Sequence, residues 1–231
     1  MMGTSMLRLD SSTTSTRVSE IPSRIACPTH PRPCTWVIVF RHPASLTTAR
    51  PSSVGAVRAL TNYYSENIEP GSAILDICSS WVSHYPEDFP SKMSRISACG
   101  MNQLELQANS QLDDFSVGNL NKDPKLPYED ESFDVVTCVV SVDYLNNPLA
   151  VFGEVRRVLK PGGKFIISQS NRCFPTKVIA MWLGMDDLQH CLVIAAYFNY
   201  CGGFTDASAF DISPTGPRTN DPLFIVEASK L

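Results

Sequence analysis

The chain has 231 residues, 43% hydrophobic and 18% charged, which is typical of one sizeable globular α/β domain. Its formal net charge of −4 argues against a nucleic-acid-binding protein, because such proteins usually carry a basic surface. No apolar run approaches the roughly 20 residues of a membrane-spanning helix, so no membrane partner is expected.

The first fifty residues differ in composition from the rest of the chain. They are rich in Ser and Thr, carry six arginines and no lysine, and have only Asp10 and Glu20 as acids. Arginine-rich, acid-poor N-termini resemble organelle transit peptides, and a disordered leader is the alternative. We therefore assign residues 1–50 to a leader and 51–231 to the folded domain. The protein is predicted to be intracellular, in a chloroplast or mitochondrion with a transit peptide and in the cytoplasm without one.

Seven segments of the domain have the apolar pattern of β-strands. They are residues 73–78, 96–100, 115–119, 133–141, 164–170, 209–213 and 222–229. The first five alternate with helices, which implies right-handed crossovers and a mostly parallel sheet covered on both faces. The last two flank a loop rich in Pro, Gly and Asn, which indicates an antiparallel hairpin. The predicted fold is therefore α/β, with a mostly parallel seven-stranded sheet, a C-terminal hairpin and helices on both faces.

The predicted helices follow from apolar residues at helical spacing and from capping residues. They lie at residues 52–68, after Asn102, after Asn147, near 175–183 and near 186–200. Between residues 80 and 91, two prolines leave room for about one helical turn before the first of them. Ligands of such sheets bind beyond the carboxyl ends of the strands, so the residues that follow each strand are the candidate site residues.

The segment LPYEDESFDVVTCVVSVDYLNNPLAVFGEVRRVLKPGGKFIIS, residues 126–168, carries the most specific pattern of the chain. Its Leu-Pro-Tyr, Ser-Phe-Asp and Leu-Lys-Pro-Gly-Gly motifs, with Glu154 and Arg157 between them, resemble the central part of class I S-adenosylmethionine-dependent methyltransferases of the type 11 subgroup. The string NRCFPTK at 171–177 is similar to a plant-like branch of that superfamily. The resemblance implies a Rossmann-like sheet, S-adenosylmethionine as cofactor and methyl transfer to a small molecule.

The family's first strand ends in an acid, and glycines then turn the chain around the methionine part of the cofactor. Asp76 matches the acid, and Cys78 and Ser80 stand where the glycines belong. The second strand should end in an acid for the ribose hydroxyls, but the chain has Gly100 there. The resemblance leaves Asn102, or the nearby Glu105, as a substitute.

The resemblance implies further contacts after the third and fourth strands. Asn119 stands in place of the Asp that binds the adenine amino group, and its amide oxygen can still accept a hydrogen bond. Leu120 would then lie against the adenine ring. After the fourth strand, Ser141 should face the cofactor and the substrate.

Three residues are candidates for a general base, which the reaction needs only if the methyl acceptor must lose a proton early. Asp143 follows the fourth strand and His84 follows the first. His190 lies on a late predicted helix, where an ordinary helix-face histidine is the alternative. The alternative for Asp143 is a capping or surface carboxylate. No metal is expected, since none of the eight cysteines forms the CxxC pair typical of a zinc site.

Three functions are consistent with these observations. The first is a methyltransferase with a degenerate cofactor motif. The second is an inactive methyltransferase-like binding module, which the departures at Cys78, Ser80, Gly100 and Asn119 suggest. The third is a nicotinamide oxidoreductase, ranked last because Cys78-Ser79-Ser80 does not supply a glycine loop for a diphosphate.

Overall fold

A computed structural model describes residues 53–214 and 221–231. It also describes the backbone of two short strands that pair antiparallel, β1 (Arg17–Ser19) and β2 (Ile38–Phe40). Apart from these two strands, the predicted leader lies outside the described residues. Within the described part of the chain, no helix is long and apolar enough to cross a membrane.

Seven strands form one sheet: β3 (Ala73–Ile77), β4 (Arg95–Gly100), β5 (Asp114–Val117), β6 (Phe133–Val139), β7 (Leu159–Ser170), β8 (Ser208–Asp211) and β9 (Leu223–Ser229). Their spatial order is β5-β4-β3-β6-β7-β9-β8. Strands β3 to β7 are parallel, and β9 runs antiparallel between β7 and β8. The predicted seven-stranded α/β sheet with its C-terminal hairpin is confirmed.

The helices are α1 (Ser53–Asn67), α2 (Phe89–Lys92), α3 (Gln103–Ala108), α4 (Pro148–Val158) and α5 (Asp187–Cys201). Asn102 caps α3, where its side-chain oxygen accepts a hydrogen bond from the amide of Leu104 at 3.0 Å. Asn147 caps α4 in the same way, with Pro148 in the first turn. These local signals begin α3 and α4 where the sequence predicts them.

The helix predicted near 175–183 is wrong. The segment holds a turn at Phe174 and a single 3-10 turn over Trp182–Gly184. The amide of Ile179, which a helix would pair with Pro175, instead donates to the carbonyl of Asp143 at 2.9 Å. The segment after Ser80 also differs, because its helical turn, α2, begins at Phe89 rather than before Pro86.

Successive residues of the central strands point to opposite faces of the sheet and build two hydrophobic clusters. On one face, Leu75, Val136 and Phe165 pack with residues of α4 and α5. On the other face, Ile74 and Ile166 pack with residues of α1. Both faces are therefore covered by helices, and the carboxyl edge of the parallel strands is left to build a site.

The motif segment 126–168 supports the fold through ion pairs. The Arg157 guanidinium donates to Glu154 at 2.8 Å and to Asp130 at 2.7 Å, and it also binds two carbonyls of the loop before β6. Lys160 pairs with Asp134 at 2.8 Å, and the same carboxylate accepts the amide of Ala73 at the start of β3. This segment thus fixes the loop before β6 and the entry into β3.

Candidate cofactor and catalytic site

Two left-handed residues mark the carboxyl edge of the sheet. Cys78 follows β3 with φ 56°, and Val140 follows the neighbouring strand β6 with φ 42°. The order of the strands reverses between β3 and β6, which is where open α/β sheets bind their ligands. A left-handed β-branched residue is a genuine outlier, and such strain costs about 1–3 kcal/mol and clusters at functional sites. Sequence patterns gave no sign of the conformation of Val140.

Asp76, the predicted acid of the turn, is buried beneath it. Its carboxylate accepts hydrogen bonds from the hydroxyl of Ser79 at 2.6 Å and from Thr137 of β6 at 3.3 Å. Burial raises the pKa of Asp76 to about 6, although these hydroxyls oppose the shift. The structure therefore places Asp76 where it holds the turn together.

The turn closes tightly over the end of β4. The Ser79 amide donates to the carbonyl of Cys99 at 2.9 Å. A Cβ atom built on Gly100 would lie 2.2 Å from the carbonyl oxygen of Ser79. The ribose-binding acid that the family has at Gly100 therefore has no room in this chain. The last residue of the turn, Ser80, is half-buried, and its carbonyl accepts a hydrogen bond from Asn109 at 3.3 Å.

The other predicted cofactor residues take part in local contacts. Asn102 is occupied by α3, since its oxygen caps the helix and its amide donates to Glu105 at 2.9 Å. Asn119 accepts the amide of Asn121 at 3.0 Å, which leaves one lone pair of its side-chain oxygen available. Leu120 is buried in the core cluster of the α4 and α5 face.

The loop after β6 carries an unsatisfied carboxylate. Ser141 donates to the carbonyl of Val139 at 2.7 Å and precedes a 3-10 turn over Val142–Tyr144. In that turn Asp143 is 3% exposed, and its Oδ2 atom has no hydrogen-bond partner. Burial raises the pKa of Asp143 to about 6. The alternative of a surface carboxylate is wrong, and the group is poised to take a proton near neutral pH.

A second unsatisfied oxygen lies at the end of β7, on Gln169, which was not among the predicted site residues. Gln169 is 2% exposed and its Oε1 atom has no partner, while its amide nitrogen lies 2.6 Å from Nδ1 of His190. Because an amide nitrogen only donates, Nδ1 accepts and the imidazole proton sits on Nε2, which donates to the carbonyl of Trp182 at 2.9 Å. The signal in the sequence that could have pointed to Gln169 was a glutamine inside a strand predicted to be buried.

Among the described residues, no hydrogen bond or ion pair joins the second predicted base, His84, to Asp143. Its backbone carbonyl accepts a hydrogen bond from Thr61 of α1 at 2.8 Å, and burial lowers the pKa of its imidazole. Its neighbour Tyr85 packs in the α1 cluster, whereas Val142, beside Asp143, packs in the α4 and α5 cluster. The catalytic role of His84 stays a prediction.

Six cysteines lie in the described residues, all as free thiols. Three of them stand at the carboxyl ends of adjacent strands: Cys99 of β4, Cys78 after β3 and Cys138 of β6. In the same part of the chain, no group of three or more His, Cys, Asp or Glu side chains could hold a metal ion.

Comparisons with known proteins bear on this edge of the sheet. Residues 79–167 match the family described as a methyltransferase domain. A cyclase, SpnF, has a crystal structure that covers 78% of this chain and 84% of its own, with a TM-score of 0.57 at 18% identity. A methyltransferase from Aquifex aeolicus covers 79% and 94%, with a TM-score of 0.54 at 15% identity. At these identities the structural similarity establishes the fold.

The matched methyltransferase domain and the observed strand order indicate the same fold. Residues 79–167 carry a methyltransferase domain, and the fold is that of S-adenosylmethionine-dependent methyltransferases. This methyltransferase domain is 51% identical over 43 residues to a sterol 4-C-methyltransferase of Caenorhabditis elegans, which is 19% of this chain and 13% of that protein. It is 27% identical over 131 residues to a demethylmenaquinone methyltransferase of Bacillus cytotoxicus, with coverage of 48% and 49%. The chain thus spans half or less of the length of these relatives.

Proposed function

We propose that the chain is an S-adenosylmethionine-dependent methyltransferase that acts on a small molecule. The observation that carries the proposal is the match of residues 79–167 to a methyltransferase domain, since this range begins in the turn after β3 and includes β6 and the loop that follows it. The strained residues Cys78 and Val140 at that edge support it, because the turn after β3 keeps the left-handed backbone for which the family uses glycine. The comparisons give no support to the inactive alternative.

The residues at the edge fit the cofactor in part. The turn at Cys78 would hold the aminoacyl end, and Asn119 and Leu120 would contact the adenine through a free lone pair and an apolar surface. Asn102, held by α3, is not assigned to the ribose, and no acid replaces Gly100. The bound cofactor would supply an activated methyl group, so the protein has mainly to align the acceptor and exclude water.

Asp143 is the proposed general base. At neutral pH a carboxyl group with a pKa of about 6 is mostly ionised, and its Oδ2 atom can take a proton from the acceptor. Gln169 offers a second acceptor oxygen at the end of the neighbouring strand β7. A buried unsatisfied acceptor costs about 1–3 kcal/mol, which a ligand with hydrogen-bond donors would recover. The methyl acceptor should therefore carry a hydroxyl or amino group.

The surroundings of Asp143 favour an acceptor with an apolar body. The segment 171–186 is tied to the Asp143 turn by the amide of Ile179 and by the amide of Phe174, which donates to the Tyr144 hydroxyl at 3.0 Å. This segment exposes the large apolar side chains of Phe174, Met181 and Leu183. The names of the sterol and demethylmenaquinone relatives also denote apolar acceptors.

Binding of S-adenosylhomocysteine to the full chain tests the cofactor half of the proposal. We expect saturable heat in titration calorimetry with a micromolar dissociation constant and a raised melting temperature. Absence of both would overturn the proposal and favour an inactive binding module.

Transfer of a labelled methyl group tests the enzymatic half. The acceptors would be hydroxylated or aminated apolar compounds, each compared with an analogue that lacks the hydroxyl or amino group. Label in the first set alone is expected. Equal labelling of both sets would contradict a role for the Asp143 and Gln169 oxygens in binding the acceptor.

A further inference from the structure

We propose that Cys78 and Cys138 form a reversible disulfide that controls the turn at the cofactor site. The two residues end neighbouring central strands, and both side chains pack in the cluster on the α4 and α5 face. The Cys78 thiol also lies close enough to Cys138 to raise the pKa of the Cys138 thiol. The link between this modification and cofactor binding rests on the proposed function, whereas the modification itself does not.

The backbone geometry suits a disulfide. Ile77 of β3 pairs with Cys138 of β6 in the parallel register, and Cys78 is the next residue. Paired strands lie about 4.7–4.9 Å apart, and disulfides need Cα atoms about 4.4–6.8 Å apart. The left-handed φ of 56° at Cys78 ends the strand alternation there, so its side chain packs with the cluster that holds Cys138.

The two thiols differ in their access to solvent. Cys78 is half-buried and open to a small reagent, whereas Cys138 is fully buried. Hydrogen bonding with Cys78 and burial raise the pKa of the Cys138 thiol well above its usual range. Because the reagent can reach Cys78 and the raised pKa keeps the buried Cys138 thiol protonated, Cys78 attacks first and Cys138 resolves.

The oxidant is a low-molecular-weight disulfide such as oxidised glutathione. The Cys78 thiolate attacks one of its sulfurs, forms a mixed disulfide and releases one glutathione thiol. Cys138 then gives up its proton to water, attacks the Cys78 sulfur and releases the second thiol. The protein loses two protons and two electrons, and the oxidant takes them up as two thiols.

The cross-link would hold the turn against β6. Side chains larger than glycine stand at Cys78 and Ser80, so the turn must yield to admit the aminoacyl end of the cofactor. A covalent bond to Cys138 would remove that freedom. The oxidised chain should therefore bind S-adenosylhomocysteine more weakly than the reduced chain.

The test treats the full chain with oxidised glutathione and then with dithiothreitol. We expect intact mass to fall by about 2 Da, the two hydrogens lost, and peptide mapping to join Cys78 to Cys138. Calorimetry should show affinity for S-adenosylhomocysteine about tenfold lower in the oxidised form, restored on reduction. The variant Cys138→Ser should instead carry a glutathione adduct on Cys78, and the control Cys201→Ser should keep the cross-link.

Two results would overturn the proposal: glutathione adducts on Cys78 of the unmodified sequence with no joined peptide, or a joined peptide with unchanged affinity. Peptide mapping of the unmodified chain decides the first result even if Cys138→Ser does not fold. If neither redox form binds S-adenosylhomocysteine, the proposed function is wrong, and the disulfide does not control cofactor binding. The intact mass still decides whether the disulfide forms.

Discussion

The two halves of the carboxyl edge differ in how their polar groups are used. Beside β3 and β4, the side chain of Asp76, the amide of Ser79 and the side chain of Asn102 all have partners within the chain. Beside β6 and β7, the buried oxygens Asp143 Oδ2 and Gln169 Oε1 have none. Internal contacts stabilise the first half, whereas the second half keeps unsatisfied groups at a cost of about 1–3 kcal/mol each.

This difference assigns separate tasks to the halves. A ligand at the β3 and β4 side meets mainly backbone, shaped by the left-handed turn at Cys78 and by the contact of Ser79 with Gly100. A ligand at the β6 and β7 side meets buried acceptors. Sequence departures from the family should therefore weaken ligand binding only moderately on the first side and be damaging on the second.

The largest expected effect is on catalysis by Asp143. The variant Asp143→Asn should lower the methyl-transfer rate by about 10²–10⁴-fold, because the amide cannot take a proton. In the unmodified chain the rate should rise with pH through about 6, as the Asp143 carboxyl ionises. Rate measurements from pH 5 to 8 check both. The exposed Asp206→Asn is the matched control, and equal activity of the two variants would show that Asp143 is not the base.

The pH dependence of stability should separate Asp143 from the rest of the fold. Its pKa is higher in the folded state than the ordinary 3.8, so the unfolded chain ionises first and stability falls as pH rises from 3.8 through about 6. Full ionisation costs about 3 kcal/mol. Urea unfolding of Asp143→Asn should show a shallower decline, with the remaining slope due to Asp76, whose pKa is also raised to about 6. Identical slopes would mean that Asp143 is not buried in solution.

The close contact between Ser79 and Gly100 should make the β4 end intolerant of any side chain. We expect Gly100→Ala to lower the free energy of unfolding by about 1–3 kcal/mol, since the added methyl group would overlap the Ser79 carbonyl. Gly118→Ala is the control, because its Cβ would meet only the Cys99 sulfur, at 3.8 Å. Denaturant midpoints measure both. An unchanged denaturant midpoint for Gly100→Ala would mean that the turn does not contact β4 closely.

The smallest effect concerns the turn itself. Cys78→Gly should bind S-adenosylhomocysteine several-fold more tightly, because glycine adopts a positive φ without the roughly 1–2 kcal/mol penalty of a side chain. Glu131→Gly relieves a similar left-handed residue, φ 52°, in the exposed turn before β6 and should leave affinity unchanged. Titration calorimetry of both variants with S-adenosylhomocysteine measures these affinities. Weaker binding by Cys78→Gly would show that the thiol itself contacts the ligand.

Parts of the site were predictable and parts were not. The position of Asp143 at the carboxyl edge could be predicted because it lies shortly after a strongly apolar strand, and strand ends of a parallel sheet converge on one edge. Gln169 was missed because a single glutamine in a buried strand does not reveal which of its atoms lacks a partner. The conformation of Val140 was not predictable at all, since valine rarely adopts a positive φ and only the surrounding packing can impose one.

By itself the sequence determined the strands, most helix boundaries and the resemblance to a methyltransferase domain, because apolar periodicity, caps and short motifs act over a few residues. Tertiary structure alone decided the rest. The Ile179 amide donates to the Asp143 carbonyl instead of forming the expected helix, and the Ser79 carbonyl lies so close to Gly100 that no side chain fits there. Both outcomes depend on atoms distant in the chain, whose approach is settled only when the sheet and its loops pack together.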